Sequence, residues 1–325
     1  MPSPSLPQRL GLGRLALMLW HQPVGRLRDS WRNGGPWQQR RTERGRSEME
    51  AAASALPVPT APPGRPLELH LLTGRRFWYQ TAFCLTTFAR HANRPLAPVI
   101  YDDGSLTGEF RAPLARLFPA TRFVGHGDTL ARLDQLLPVA RFPSLRERWL
   151  NYPNIRKLTD PHLGSAGWKL VLDSDLLFFR RPDFLLAWLD QPGQPLHAVD
   201  CETSYGYTRP LMNDLAGAPV ADLVNVGLTG LNSSELDWER LEYWCHTLIA
   251  RERTSYYLEQ ALIAMLVAGR RCAIAPAADY VTLPVEPEAT ACHAVMHHYV
   301  AHSKRWYFQQ NWHRVLQANH ESIRS

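Results

Sequence analysis

Gly167-Trp168-Lys169-Leu170-Val171-Leu172-Asp173-Ser174-Asp175-Leu176-Leu177-Phe178-Phe179 places two carboxylates, one residue apart, inside a strongly apolar run. Alternate residues of a β-strand point to the same side, so Asp173 and Asp175 are expected to converge where the strand leaves the core. Buried carboxylates without a partner are costly, and a divalent cation at the strand end offsets that cost. The run therefore predicts a metal site, with an acidic turn at a sheet edge as the alternative.

The composition is that of a soluble globular protein, because 45% of the 325 residues are hydrophobic and 20% are charged. Residues 1–66 hold ten arginines and four acids, and thus the whole net charge of +6. They are also rich in proline and show no steady apolar period beyond residues 10–20. We predict a flexible or loosely helical basic arm there, with a membrane surface or a protein as its candidate contact.

The sequence predicts no membrane span and no signal peptide. The apolar piece at residues 15–20 is far shorter than the roughly 20 residues that a span needs, and Arg14 interrupts the apolar part that a signal peptide would need. The scattered cysteines, with no Cys-x-x-Cys pair, are typical of core residues in a reducing compartment. We therefore expect a cytoplasmic protein, with peripheral membrane contact as a further option. Nucleic-acid binding is not expected, because the chain beyond the arm is electrically balanced.

From Leu67 onward, strand-like and helix-like segments alternate. The strand-like segments cover residues 67–72, 97–101, 121–124, 196–199 and 223–228, and the helix-like segments cover 77–88, 107–117, 130–137, 234–250 and 256–267. Ser234 with Asp237 resembles a capping box at the start of one helix. The alternation predicts an α/β fold with a mostly parallel, Rossmann-like sheet covered by helices on both faces. In such sheets ligands gather at the carboxyl ends of the strands, where Thr73, Asp102 and Asp173 fall.

Five features follow one another in a distinctive order. They are Lys157, Asp173-x-Asp175, Asn225-x-Gly227, Glu259-Gln260 and His298-x-x-Ala301-x-x-Lys304-Arg305-Trp306. Across roughly residues 67–310, this order and spacing resembles the retaining GT-A glycosyltransferases of the glycogenin and bacterial galactosyltransferase (family 8-like) type. The resemblance implies a single GT-A domain over residues 67–325, with a nucleotide-binding half at 67–175 and an acceptor-side half at 176–325. It also implies hexose transfer from a nucleotide diphosphate sugar, with UDP as the expected nucleotide, to a glycan, lipid or protein.

The resemblance also assigns roles to individual residues. Those that would hold a metal ion are Asp173, Asp175 and His298; those that would contact the nucleotide sugar are Lys157, Ser174, Lys304, Thr73 and Gly74; those beside the transferred sugar and the acceptor are Glu259, Gln260 and Asn225. Ala301 and Arg305 stand where the family has glycine and proline, which bears on the shape of the loop that closes the site. Glu259 stands where the family has aspartate, so its carboxylate reaches one methylene further.

Elementary chemistry supports the same roles without the family. Breaking a nucleotide-sugar bond leaves a diphosphate whose growing negative charge must be neutralised, and a divalent ion with a lysine does this. Two aspartates suit Mg²⁺ or Mn²⁺, and an added imidazole favours Mn²⁺. We therefore expect Mn²⁺, or Mg²⁺, as the cofactor.

Several alternatives remain open at the level of single residues. Lys157 would be a solvated helix residue, Thr73-Gly74 an ordinary turn, Glu259 an acid at a helix start, and Asn225-x-Gly227 a strand residue with a bulge. The histidines near His298, with Cys292, have spacings that suit zinc. A second acid pair, Asp200 and Glu202, would orient sugar hydroxyls or lie in a surface loop. The aromatic residues that offer flat faces for sugar stacking are Tyr205, Tyr207, Trp238, Trp244, Trp306 and Trp312.

Two other classes of function compete with glycosyl transfer. A haloacid-dehalogenase-like phosphohydrolase also places Asp-x-Asp after an apolar strand. That class needs threonine or valine two residues after the second acid, where this chain has Leu177, and a later Asp-Asp pair that the sequence does not show downstream of Lys157 or Lys304. A non-catalytic nucleotide or carbohydrate binder of the same fold is the second competitor, and the sequence does not distinguish it from an enzyme.

Overall fold

The computed structural model describes residues 35–60 and 62–316. Its strands are β1 (Leu67–Thr73), β2 (Leu96–Asp102), β3 (Arg122–Val124), β4 (Trp168–Leu172), β5 (Leu176–Phe178), β6 (Leu196–Val199), β7 (Val224–Asn232), β8 (Ala273–Ile274), β9 (Tyr280–Thr282) and β10 (Met296–His298). Its α-helices are α1 (Gly35–Ala53), α2 (Trp78–Ala92), α3 (Gly108–Leu117), α4 (His126–Leu136), α5 (Pro143–Asn151), α6 (Arg156–His162), α7 (Asp183–Asp190), α8 (Arg209–Ala216), α9 (Trp238–Glu252), α10 (Leu258–Leu266), α11 (Glu286–Ala291) and α12 (Lys304–Trp306).

A seven-stranded sheet in the order β3-β2-β1-β4-β7-β6-β8 forms the centre of the fold. Strands β1 to β4 pair in parallel, whereas β7 runs antiparallel to both β4 and β6. The predicted α/β class with a mostly parallel sheet is confirmed. Because β7 is reversed, its first residues lie at the edge where β4 and β6 end.

Helices cover both faces of this sheet, because the strands carry apolar side chains on both faces. Leu67, Leu69 and Leu71 of β1 belong to one large apolar cluster with α2, whereas Val224 and Val226 of β7 belong to a second cluster with α9 and α10. Each fully buried leucine or valine contributes about 1.5–3 kcal/mol. The two clusters hold the carboxyl ends of the strands in fixed positions.

A second, three-stranded sheet in the order β5-β10-β9 stands beside the first. Strand β10 pairs antiparallel with β5, so that His298 lies opposite Leu176. This pairing brings a histidine from the C-terminal part of the chain next to the Asp173-Ser174-Asp175 segment. Those three residues form the turn between β4 and β5 and are not part of a strand, which corrects the sequence-based expectation.

The described part of the arm predicted over residues 1–66 contains a regular helix. Residues 1–34 lie outside the described part, but Gly35–Ala53 form the regular helix α1. Gly45, Met49 and Ala53 face inward at a four-residue spacing, and Met49 and Ala53 are fully buried in the larger cluster. The expectation of helix is met here, but the helix is packed on the core and is not a loose extension.

The start of helix α9 and the apolar character of the helices test two further sequence-based predictions. Helix α9 begins after Asp237, whose carboxylate accepts a hydrogen bond from the Arg240 backbone N–H, while Ser234 lies in a preceding 3₁₀ turn and does not cap the helix. The predicted capping box is therefore wrong, because Asn232 caps the 3₁₀ turn first. Among the described helices, none combines the length and apolar character needed to cross a membrane.

Candidate active site

A cavity of about 550 Å³ opens at the edge where β1, β4 and β6 end and β7 begins. Its walls come from both predicted halves of the chain. They include Thr73, Lys157, Asp173, Ser174, Asp175, Asn225, Glu259, Gln260, His298 and Lys304. Of the residues assigned to the site from the sequence, all line the cavity except Gly74.

Backbone contacts fix the acidic turn between β4 and β5. The Asp173 N–H donates to the Gly227 carbonyl at 2.8 Å, and the Asp175 carbonyl accepts from the Tyr299 N–H at 3.0 Å. The Ser174 hydroxyl accepts a hydrogen bond from Thr81 of α2 at 3.0 Å. The turn is thereby joined to β7, β10 and α2, so that the directions of its two carboxylates are set by three separate elements.

Asp173, Asp175 and His298 form a group with the geometry of a cation site. One ligand atom from each residue lies within 4.8 Å of the others. His298 Nε2 is 3.6 Å from an Asp173 oxygen and 3.4 Å from an Asp175 oxygen, yet neither imidazole nitrogen has a hydrogen-bond partner although both are buried. Ligands at about 2.1 Å from an octahedral ion stand about 3 Å apart, so this spacing and these unpartnered nitrogens fit Mn²⁺ or Mg²⁺.

Gly227 is needed for this arrangement. A Cβ atom at Gly227 would lie 2.2 Å from Cε1 of His298, a distance that real side chains do not tolerate. In the sequence, this glycine is distinguished only as part of Asn225-x-Gly227. The structure shows that the missing side chain makes room for the imidazole beside the acidic turn.

Both lysines predicted in the site contact its carboxylates. Lys157 Nζ lies 2.8 Å from Asp173 and 3.5 Å from Glu259, and Lys304 Nζ lies 3.1 Å from Asp175. The Lys157 side chain is only 13% exposed, which excludes the alternative of a solvated helix residue. Burial tends to lower the pKa of Lys157, but the negative charges of Asp173 and Glu259 outweigh it and raise the pKa.

The pKa values of Asp175 and Glu259 are shifted in opposite directions. Burial tends to raise the pKa of Asp175, but Lys304 and His298 outweigh it and lower the pKa below its ordinary value. Burial raises the pKa of Glu259 to about 7, with Asp173 adding to the rise and Lys157 opposing it. The Oε1 atom of Glu259 is buried and has no hydrogen-bond partner. Glu259 thus presents an unpaired acceptor beside the cavity and does not merely begin a helix.

Gln260 and Asn225 are held by hydrogen bonds near the same wall. The Gln260 amide donates to an Asp200 carboxylate oxygen at 2.8 Å and to the Val224 carbonyl at 2.9 Å. The Asn225 side-chain oxygen accepts from the Gly227 N–H at 2.9 Å. The register between β6 and β7 shifts at this point, so the predicted bulge is present and Asn225 still lines the cavity.

Thr73 and Gly74 do not share one role. Thr73 lines the cavity, and its hydroxyl accepts a hydrogen bond from Thr81 at 2.9 Å. At Gly74 a Cβ atom would lie 2.0 Å from an Asp103 carboxylate oxygen, so the glycine makes room for that side chain. Asp103 lines the cavity and Gly74 does not, so the contact of Gly74 with the nucleotide sugar stays a prediction.

The aromatic residues proposed for sugar stacking lie elsewhere. Trp244 and Trp312 are buried in the core, and neither Trp238, Trp306 nor the Tyr205–Tyr207 pair lines the cavity. The cavity is instead lined by Tyr256 and Tyr257, which are 72% and 38% exposed and pack edge to face. The signal in the sequence was the pair of adjacent tyrosines, which only Leu258 separates from Glu259.

A zinc site of histidines is not formed. His297 contacts Glu288 through Nε2 at 2.7 Å and Tyr299 through Nδ1 at 3.0 Å. Within residues 35–60 and 62–316, the group with metal-ligand geometry is Asp173, Asp175 and His298, and it includes no other histidine and no cysteine. The clustering of histidines in the sequence therefore reflects one buried structural histidine beside one site residue.

No protein-family model and no curated protein sequence matches the chain. Among solved structures, the galactosyltransferase LgtC in complex with donor and acceptor sugar analogues is similar to 78% of this chain and 96% of its own, with a TM-score of 0.52 and 13% identity. Mouse xyloside xylosyltransferase 1 in its apo form matches 72% of this chain and 98% of its own, with a TM-score of 0.48 and 14% identity. For GlyE of Streptococcus pneumoniae TIGR4 the TM-score is 0.45 at 12% identity, over 80% of this chain and 64% of that protein.

At such identities the likeness to LgtC establishes the fold, which is GT-A. The resemblance drawn from the sequence is thus confirmed at the level of the fold. LgtC is a galactosyltransferase and not a phosphohydrolase of the haloacid-dehalogenase type.

Proposed function

We propose that the chain is a metal-dependent glycosyltransferase that moves a hexose from a nucleotide diphosphate sugar, with a UDP-sugar as the expected donor, to a glycan, lipid or protein acceptor. One observation carries the proposal. Five side chains from distant parts of the sequence converge in a single cavity at the strand ends of a GT-A sheet. They are those of Asp173, Asp175, His298, Lys157 and Lys304.

Asp173, Asp175 and His298 would hold the divalent ion. When bound, the ion supplies positive charge that stabilises a departing diphosphate. Two carboxylates and one imidazole favour Mn²⁺, with Mg²⁺ as the second choice. This set of donors leaves coordination positions open for phosphate oxygens, as a site that binds a nucleotide diphosphate requires.

The lysines and Glu259 would act on the rest of the donor. Lys304, which is 38% exposed at the cavity wall, is placed to contact the β-phosphate and to offset its negative charge in the transition state. Glu259 offers a buried, unpaired oxygen to a donor hydroxyl, and Lys157 holds its other oxygen. Gln260 and Asn225 would then lie beside the transferred sugar. Retention of the anomeric configuration is part of the proposal through the resemblance alone.

The proposal also includes the acceptor surface, the contacts of the N-terminal residues and the cellular location. Exposed Tyr256 and Tyr257 offer aromatic faces to an acceptor sugar at the cavity. The basic residues 1–34 are proposed to contact an anionic membrane surface or a protein, because they carry five arginines and one acid. We propose a cytoplasmic location with peripheral membrane contact.

A thermal-shift screen of UDP-, GDP-, ADP- and CDP-hexoses, each with and without Mn²⁺, tests the proposal. We expect one nucleotide to raise the melting temperature only when Mn²⁺ is present. Absence of a shift for every nucleotide sugar, or equal shifts without metal, would contradict the proposed site.

Donor hydrolysis then separates an enzyme from the remaining alternative, a non-catalytic binder. We expect slow release of free sugar from the stabilising donor in the presence of Mn²⁺, and none with the metal chelated. Binding without hydrolysis, in the presence of a broad set of acceptor sugars, would favour the binder. The inactive variant Asp173→Asn serves as the matched control for trace contamination.

A further inference from the structure

We propose that helix α1, which precedes the first strand, is a brace that positions Lys304, so that residues outside the predicted domain help to form the diphosphate site. The inference rests on the proposed role of Lys304. It concerns how that side chain is held in place, which neither the sequence motif nor the fold explains.

The backbone of α1 lies directly against the segment that follows Lys304. A Cβ atom at Gly45 would stand 1.9 Å from the Phe308 carbonyl oxygen, and 2.7 Å from its carbonyl carbon. Gly45 is buried and sits in the middle of a regular helix, where glycine is less favourable than alanine. The glycine is therefore explained by this close approach of two backbones.

Side chains reinforce the same contact. The Gln309 amide donates to the Gln38 carbonyl at 3.1 Å and to the Thr42 hydroxyl at 2.8 Å. The Arg46 guanidinium lies over the Phe308 ring at 5.2 Å. Residues from three successive turns of α1 thus hold two adjacent residues of the C-terminal segment.

The C-terminal half of α1 is anchored in the domain. Met49 and Ala53 are fully buried in the larger apolar cluster, and Glu50 accepts a hydrogen bond from the Trp78 indole at 3.2 Å. Trp78 begins α2, whose Thr81 bonds to both Thr73 and Ser174. Helix α1 therefore joins the element beside the acidic turn to the segment that carries Lys304.

Lys304 depends on this contact because of its place in the chain. It begins α12, and the next residues, Tyr307–Asn311, form a π-helical turn that contains Phe308 and Gln309. Such turns are conformationally unusual and need outside support to persist. Lys304 lies one turn before Phe308, and its ammonium is 3.1 Å from an Asp175 carboxylate oxygen. A shift of the π-helical turn would therefore move the ammonium away from that carboxylate.

The test compares Gly45→Val with Ala51→Val, which adds a β-branched side chain at an exposed position of the same helix. The chain has three lysines, Lys157, Lys169 and Lys304, so acylation of each is readily separated by mass spectrometry. We expect Lys304 to react several times faster in the Gly45→Val variant than in the wild type or in Ala51→Val, with Lys169 unchanged. Equal Lys304 rates in all three proteins would overturn the brace. This readout requires no ligand and is independent of the proposed function.

A double-mutant cycle tests whether α1 acts through Lys304. We expect Gly45→Val to weaken binding of UDP with Mn²⁺ about tenfold in calorimetry, and to have little further effect in a Lys304→Ala background. Equal losses in both backgrounds would show a general structural effect and would overturn the inference. Failure of wild-type protein to bind any nucleotide diphosphate would instead contradict the proposed function, and the lysine labelling would still decide on the brace.

Gln309→Ala provides a second variant in case Gly45→Val does not fold. It removes the hydrogen bonds to Gln38 and Thr42 without adding bulk to the helix contact. We expect a smaller rise in Lys304 labelling in the same direction, and its partial reversal in Gln309→Asn. No rise in Gln309→Ala, in a variant with an unchanged melting temperature, would count against the brace.

Discussion

Two acid-x-acid pairs lie at strand ends beside the same cavity, and they differ in their partners. Asp173 and Asp175 follow β4, whereas Asp200 and Glu202 follow β6. Each pair has one residue between its acids and follows an apolar strand. From local sequence alone the two pairs are equivalent candidates for a metal site.

Distant residues distinguish the pairs. The first pair contacts Lys157, Lys304 and His298. The second pair accepts hydrogen bonds from Cys201, Gln260 and Ser204 and, in the described part of the chain, has no basic side chain within ion-pair distance. A strand-end acid pair becomes a candidate catalytic centre only when other segments supply cations and an imidazole.

Adjacent residues of α10 connect the two pairs. Glu259 lies 3.5 Å from Lys157 on the side of the first pair, and Gln260 donates to Asp200 of the second. We therefore assign the first pair to the metal and diphosphate, and the second to the orientation of Gln260. The following predictions separate these assignments.

Removal of the first pair has the largest expected effect. In the variant Asp173→Asn/Asp175→Asn, we expect Mn²⁺-dependent donor hydrolysis to fall by about a thousandfold, because the variant loses the carboxylates that would hold the ion that stabilises the leaving diphosphate. Steady-state hydrolysis with the stabilising donor measures this. The matched variant Asp200→Asn/Glu202→Gln alters the second pair in the same way. Equal losses in the two double variants would contradict the distinction between the pairs.

The pH dependence of stability tests the link through Glu259. Its pKa is about 7 in the folded chain and has an ordinary value of 4.5, so the folded state binds the proton more tightly. The contribution is fully present below pH 4.5 and is lost as the pH rises through 7, by up to about 3 kcal/mol. Urea unfolding of the metal-free protein from pH 4.5 to 8 measures it. We expect a smaller decline in Glu259→Gln, and an unchanged decline would argue against a buried, protonated Glu259.

Lys304 separates a specific contact from general positive charge. We expect Lys304→Met to raise the Kd for UDP with Mn²⁺ about tenfold, because a charge-assisted contact to phosphate is lost. Arg305→Met removes the same charge from the neighbouring residue and is the control. Calorimetric titration measures both. A similar loss in the two variants would show that Lys304 acts only through the overall field.

The smallest effect is expected for Glu202→Gln alone. Glu202 is exposed and contacts Ser204 at 3.3 Å, so its charge has no partner among the cations of the site. Donor hydrolysis and Mn²⁺ affinity should remain within about twofold of the wild type. A tenfold loss in either quantity would place the second pair in the donor site and would contradict the distinction between the two acid pairs.

The sequence was sufficient where local pattern determines structure. Alternating strands and helices predicted the α/β sheet, and the motif order predicted that Lys157, Asp173, Asp175, His298 and Lys304 converge. Charged and polar side chains of these types seldom become buried without a shared partner, which is why their positions were informative. Their chemical roles and the division of the domain into halves remain predictions.

The sequence was insufficient where tertiary contacts decide. The polar composition of residues 35–53 concealed the stripe Gly45, Met49 and Ala53, which has meaning only when the C-terminal segment lies against Gly45 and the core receives Met49 and Ala53. Likewise, the need for Gly227 depends on His298, more than seventy residues later, and that for Gly74 depends on Asp103. A glycine in the sequence does not reveal which side chain fills the space that its missing Cβ atom leaves free.

Anomalous X-ray diffraction at the manganese edge, from crystals grown with UDP and Mn²⁺, tests the central claim most directly. The account predicts one strong anomalous peak within about 2.3 Å of Asp173, Asp175 and His298, in contact with the diphosphate. Bound UDP with no peak at that position, or a manganese ion held by the Asp200 and Glu202 pair, would contradict it.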